Sequence, residues 1–151
     1  MTALSHSPQA AVGRALPWAP RAGLALVGLA QLEIAIWGLI APHSFFGNYP
    51  GAGHHWVSAL GPYNEHLVRD FAGAELGFAL LLLAAAWRFG RTLVLVAGAS
   101  FLVANLPHFA YHLTTTGSFK TADNIASLGG FVVEFVVVGL AMAAASLDRE
   151  S

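Results

Sequence analysis

Long apolar runs separated by short polar turns set the pattern of this chain. Four segments, 22–41, 65–87, 92–113 and 125–146, are predominantly apolar. Each is close to the roughly 20 residues a helix needs to cross the hydrocarbon core. Gly61-Pro62-Tyr63-Asn64 reads as a turn with Asn64 as the N-cap of the second segment. Arg88-Phe89-Gly90-Arg91 is so tight that segments two and three must be antiparallel neighbours. Thr121 or Asp123 can cap the fourth. In 42–63, glycine and proline break any long helix, and Phe45, Phe46, Tyr49 and Trp56 suit a membrane interface, with a short turn at 54–60. The pattern predicts an all-α, four-transmembrane-helix bundle that uses the whole chain, 1–151, as one membrane domain.

Composition strengthens the membrane reading. The chain is 56% hydrophobic and 10% charged with mean hydropathy +0.63, whereas soluble domains carry about 25% charged residues. Without cysteine, disulfides and thiolate metal sites are excluded. A net charge of −1 with no basic run gives no reason to expect a nucleic-acid partner. The tail 1–20 lacks a compact apolar stretch before a small-residue cleavage site, so a cleaved signal peptide is not expected. Arg14, Arg21, Arg88, Arg91 and Arg149 fall on one side of four spans and Lys120 on the other, with Arg69 just inside the second span. The positive-inside rule then predicts a cytoplasmic-membrane protein with both termini cytoplasmic.

Ionisable groups inside a membrane are costly and mark candidate sites. A helix turns about 100° per residue, so positions i, i+4, i+7 and i+11 share a stripe. Segment two carries His66, Asp70, Gly73 and Gly77 on one stripe; segment three carries Phe101, Asn105, His108 and His112. Folding the hairpin at Phe89–Gly90 sets His66 level with His112, Asp70 with His108 and Gly73 with Asn105. The expectation is an outward-opening polar seam between helices two and three, brought close by the small-residue pair Gly73/Gly77. Pro107 frees the Val103 carbonyl inside segment three. Asp123, Ser127, Gly130 and Glu134 share a stripe on segment four, with Glu134 about 15 Å below the outer end.

Two chemistries fit the seam. His66, Asp70, His108 and His112 have spacing that suits one metal ion held between two helices, and a His66–His112 pair offers axial haem ligands. The same four side chains can instead knit the helices by hydrogen bonds with no cofactor. Glu33, Glu75 and Glu134 lie near mid-membrane, where a carboxyl is expected to sit protonated unless paired, which makes them candidate proton carriers. Glu75 is about 180° from His66 around its helix and is expected at another interface, with segment one or a second subunit. Glu65 and Arg69, four apart, are expected to form a rim ion pair. His54 and His55 read as solvated loop residues at the seam's mouth.

Ala72-Gly73-Ala74-Glu75-Leu76-Gly77, running into leucines and followed by an arginine-bearing turn, resembles the DoxX and DoxX-like group of small bacterial membrane proteins. The Ala41-Pro42 loop after the first span also fits that group. The resemblance implies four helices and an association with membrane redox processes, some members being subunits of quinone-linked sulfur-compound oxidation. Asn64–Asp70 and Pro107–His112 are not features of that group and suggest a specialised branch.

No complete catalytic signature is present. The leading expectation is an accessory or ligand-binding protein of the lipid bilayer, beside a larger membrane oxidoreductase or self-associated. The alternatives are a membrane metalloprotein or redox enzyme, with Glu134 or Asn105 supporting the four seam ligands, and an oligomeric proton-coupled carrier using Glu33, Glu75 and Glu134.

Overall fold

The computed structural model describes residues 18–147. The tail that carries Arg14, the signal-peptide region up to residue 17, and Arg149 lie outside the described residues. The described chain is all-helical, with five α-helices: α1 (Trp18–Ile40), α2 (Pro42–Asn48), α3 (Glu65–Arg88), α4 (Arg91–Thr114) and α5 (Thr121–Leu147). Single 3-10 turns occupy Ser58–Leu60 and Thr116–Ser118. Helices α1, α4 and α5 are long and apolar enough to cross a membrane. Helix α3 has 24 residues, but Glu65, Arg69, Asp70 and Glu75 lower its mean hydropathy below the other three.

Local chemistry explains the helix ends. The Asn64 side chain accepts a hydrogen bond from the Leu67 amide at 3.2 Å, so the expected N-cap is in place. Glu65 in the first turn and Arg88 in the last complement the helix dipole. Phe89, at φ 45°, ends α3 in the left-handed region, and Gly90 opens α4. This two-residue turn makes α3 and α4 an antiparallel hairpin, as the spacing predicts. Segment 42–63 differs from expectation in one respect. Pro42 does not break a helix but starts one, its fixed φ and missing N–H suiting the first turn of α2.

The four long helices contact one another in a ring, α1 against α3 and α5, and α4 against α3 and α5. Small residues set the closest approaches. A Cβ on Gly38 of α1 would meet the Ala72 Cβ of α3 at 2.7 Å. A Cβ on Gly98 of α4 would meet the Met142 Sδ of α5 at 2.5 Å. Such contacts hold helices together where lipid tails are as apolar as the side chains.

At the end of the ring that carries the Phe89–Gly90 turn, Leu24, Leu82, Val94, Phe101 and Val138 form a closed apolar core. The Arg21 guanidinium donates to the Trp87 carbonyl at 2.9 Å and lies 5.4 Å from the Phe89 ring centroid, tying α1 to that turn. At the opposite end the packing opens into a cavity roofed by α2 and the segment after it. The outward faces of α1, α4 and α5 are rows of exposed Leu, Ile and Val, among them Leu26, Ile36, Val103, Val133 and Leu140. An apolar exterior of this extent fits contact with lipid.

Candidate functional site

The cavity has a volume of about 450 Å³ and takes walls from all four long helices and from 45–64. Each helix contributes one or more polar positions from an otherwise apolar inner stripe. On α1 the inner stripe is Leu24, Val27, Gln31, Ala35 and Gly38, so Gln31 is its one amide. On α3 it is Val68, Ala72, Glu75, Ala79 and Leu82, with Glu75 as the one carboxyl. On α4, Phe101, Asn105 and His112 face inward beside the half-buried His108. On α5, Ser127 and Glu134 share the stripe through Gly130.

Hydrogen bonds satisfy part of this set. Gln31 Nε2 donates to Glu134 Oε1 at 2.9 Å, crossing from α1 to α5. Asn105 Nδ2 donates to the Phe101 carbonyl one turn back, at 3.1 Å. His108 and His112 meet through their Nε2 atoms at 3.2 Å, so one imidazole carries the proton there and the other accepts it. Phe131 lies 5.0 Å from the His108 ring and 5.5 Å from the His112 ring, and Phe71 is 5.7 Å from His108. The pair is thereby held between aromatic edges.

Three polar atoms in the cavity wall have no partner among the described residues: Glu75 Oε2, His112 Nδ1 and Ser127 Oγ. Glu75 is 4% exposed, Ser127 6% and His112 8%. A buried polar group without a hydrogen bond costs about 1–3 kcal/mol, and three against one cavity is a concentration that folding alone does not reward.

The roof is built from aromatic and acidic chemistry. Trp56 Nε1 donates to Asp123 Oδ1 at 2.9 Å, and His54 Nδ1 lies 2.6 Å from the same oxygen. This ties the segment after α2 to the start of α5. The Trp56 amide donates to the Tyr49 carbonyl, and the Tyr49 ring packs 6.1 Å from Trp56 and 5.0 Å from Phe45. Burial, then the nearby carboxyls of Glu134, Glu33 and Glu75, push the Tyr49 hydroxyl up to about 12. Exposed Gly61, Pro62, Asn64, Leu67 and Tyr111 line one rim, which opens between the start of α3 and the end of α4.

The seam is only half assembled as expected. Asn105, His108 and His112 face inward together with Ser127 and Glu134. His66 and Asp70 do not join them. They form their own pair at 2.8 Å on the outer flank of α3, with side chains 85% and 65% exposed. Gly73 and Gly77 lie on the same outer flank and bring no backbone close, a Cβ on either meeting nothing within 4 Å. The four proposed metal ligands are therefore split between an exposed pair and a buried pair. Among the described residues no group of three or more His, Asp or Glu side chains has the geometry to hold a metal ion.

Glu75, expected opposite His66 at an interface with segment one or a second subunit, lies on the α3 face that packs against α1, and it also shares the cavity with His108 and His112. The reason is packing. Ala72 and Ala79 permit the approach of α1 that Gly38 requires, and the face they define carries Glu75 with it. Glu33 points away from the cavity and is exposed. Glu65 and Arg69 form the expected rim pair at 2.8 Å, and Arg69 also donates to the Leu39 carbonyl of α1 at 2.7 Å. His54 and His55 are exposed, but neither is free of contacts: His54 pairs with Asp123 and His55 with the Gly47 carbonyl. Sequence reasoning missed Gln31, whose signal was a lone amide at mid-length in an apolar helix. A scan against protein-family models finds no match, and the searches of curated proteins and of solved structures find none either.

Proposed function

We propose that this is a ligand-binding protein of the cytoplasmic membrane, a four-helix bundle with both termini cytoplasmic and the cavity opening at the opposite face. Helix α3 serves as the fourth span, since its charges cluster at the cavity end and its remaining length packs against α1. The cavity receives a small amphiphilic molecule, with an apolar body against the aromatic walls and polar groups against the inner stripe. One observation carries this reading: Glu75, His112 and Ser127, each with a buried atom that has no partner among the described residues, all line the same aromatic-walled space. Ligand sites have this composition, mostly apolar with a few convergent polar groups.

The resemblance to the DoxX group extends the proposal to an accessory role beside a larger membrane oxidoreductase. Arg21, Arg88 and Arg91 at one end and Lys120 at the other support the orientation.

A thermal-stability screen of the protein in lipid nanodiscs tests the reading. Gly130 lines the cavity and has open space beyond its Cβ position, so Gly130→Phe puts a ring into it. Small amphiphiles that raise the melting temperature of the wild type and not of Gly130→Phe are the expected result. A panel that shifts both proteins alike, or neither, overturns it.

A further inference from the structure

The electrostatic character of the cavity narrows the class of ligand. Among the described residues its wall contains two carboxyls, Glu75 and Glu134, and no lysine or arginine. Glu134 already accepts from Gln31, while Glu75 keeps one oxygen without a partner. Nothing on the cavity wall offers either carboxylate a positive partner. Arg69, on the same helix as Glu75, is exposed and committed to Glu65 and the Leu39 carbonyl. Arg21 is committed to Trp87 at the far end.

The same wall carries aromatic side chains: Tyr49 and Trp56 from the roof, Phe71 from α3 and Phe131 from α5, with Tyr111 of α4 at the rim. Aromatic faces carry negative potential and attract cations within about 6 Å of the ring centroid, and cages of them recognise quaternary ammonium groups. A buried carboxylate is held in its charged form by a counter-charge, and with no lysine or arginine on this wall a ligand cation would supply it. An anion would meet two carboxyls and no cation. A purely apolar molecule would bring neither carboxyl a counter-charge.

We propose that the cavity takes a lipophilic organic cation, an ammonium compound with an apolar body, whose charge sits against Glu75 and Glu134 between the aromatic walls. This rests on the ligand-binding reading above and names its substrate class. The rim between α3 and α4, with exposed Leu67 and Tyr111 on its sides, gives an amphiphilic cation a route from the membrane surface.

The test compares benzyltrimethylammonium with neopentylbenzene, its uncharged isostere, by tryptophan-fluorescence titration of the protein in nanodiscs of zwitterionic lipid. Trp56 in the cavity wall is the reporter. The cation is expected to bind saturably at least tenfold more tightly than the isostere. Glu75→Gln is expected to weaken the cation at least tenfold and leave the isostere unchanged. Phe71→Leu, which keeps every carboxyl, is expected to weaken the cation severalfold and serves if Glu75→Gln does not fold. The proposal is overturned if cation and isostere bind alike, or if neither variant alters cation binding. Isostere binding that Gly130→Phe abolishes, without cation preference, overturns the cation class and leaves the ligand site standing. Binding of neither probe, with wild type and Gly130→Phe indistinguishable, overturns both.

Discussion

Gln31 on α1 and Glu134 on α5 are joined by a 2.9 Å hydrogen bond across the interior of the ring. Among the described residues it is the one direct side-chain bond between α1 and α5 at the cavity, and it holds Glu134 at the wall while Glu75 Oε2 has no partner.

Replacing one partner of that bond strands the other. Gln31→Leu is expected to destabilise the protein by about 0.6–2 kcal/mol, the range for interhelical hydrogen bonds in membranes. Gln31→Leu/Glu134→Leu is expected to recover part of the loss, because no polar group is left without a partner. A double-mutant cycle of unfolding free energies in mild detergent measures the coupling. Additive losses would show that the bond contributes nothing.

The two glycine stripes should respond oppositely. Gly38→Ala puts a methyl 2.7 Å from the Ala72 Cβ and is expected to cost about 1–3 kcal/mol by overpacking. Gly73→Ala meets nothing within 4 Å and is expected to be neutral or stabilising by up to about 1 kcal/mol through helix propensity. Melting temperatures of the two single variants decide the matter. Equal destabilisation would mean that Gly73 packs against something the single chain does not contain.

Tyr49 gives a pH signature. Its hydroxyl is pushed up to about 12, first by burial and then by Glu134, Glu33 and Glu75. An unfolded tyrosine ionises near 10. The contribution is therefore fully present below about pH 10 and is lost as pH rises through about 12. Ultraviolet difference titration is expected to show a late tyrosinate step that Tyr49→Phe removes. The variant should also flatten the fall in stability across that window, and an unchanged titration would refute the assignment.

Asp123 is the anchor of the roof, since Trp56 and His54 both converge on its Oδ1. Asp123→Ala is expected to release both and to lower the melting temperature. Tryptophan emission should shift to the red as Trp56 gains water, and proteolysis between Tyr49 and Leu60 should accelerate. Emission identical to wild type would mean that the roof is held elsewhere.

Helix-forming segments were legible because they are long, apolar and punctuated by unambiguous caps, as Asn64 and Phe89–Gly90 demonstrate. The inner stripes of α4 and α5 were legible too, because polar residues recur there at helical spacing. The inner face of α3 was not. Two polar stripes run along the helix on different faces, and polarity alone favours His66–Asp70 over Glu75 as the inner one. His66 and Asp70, four residues apart, satisfy each other without any other helix. The choice fell to Ala72 against Gly38 and to Leu82 and Leu83 against Gly28, that is, to side-chain size across a helix pair that sequence spacing does not reveal. Gln31 escaped for a related reason, since a single amide has no periodicity of its own.

Native mass spectrometry of the protein released from mild detergent after gentle purification tests the central claim most directly. The account predicts a small molecule bound one to one on the wild type, absent from Gly130→Phe and reduced on Glu75→Gln, with all three chains folded. Wild type and Gly130→Phe each appearing only at their own ligand-free masses, including after addition of the amphiphile panel, would contradict it and leave the buried polar set as a structural network.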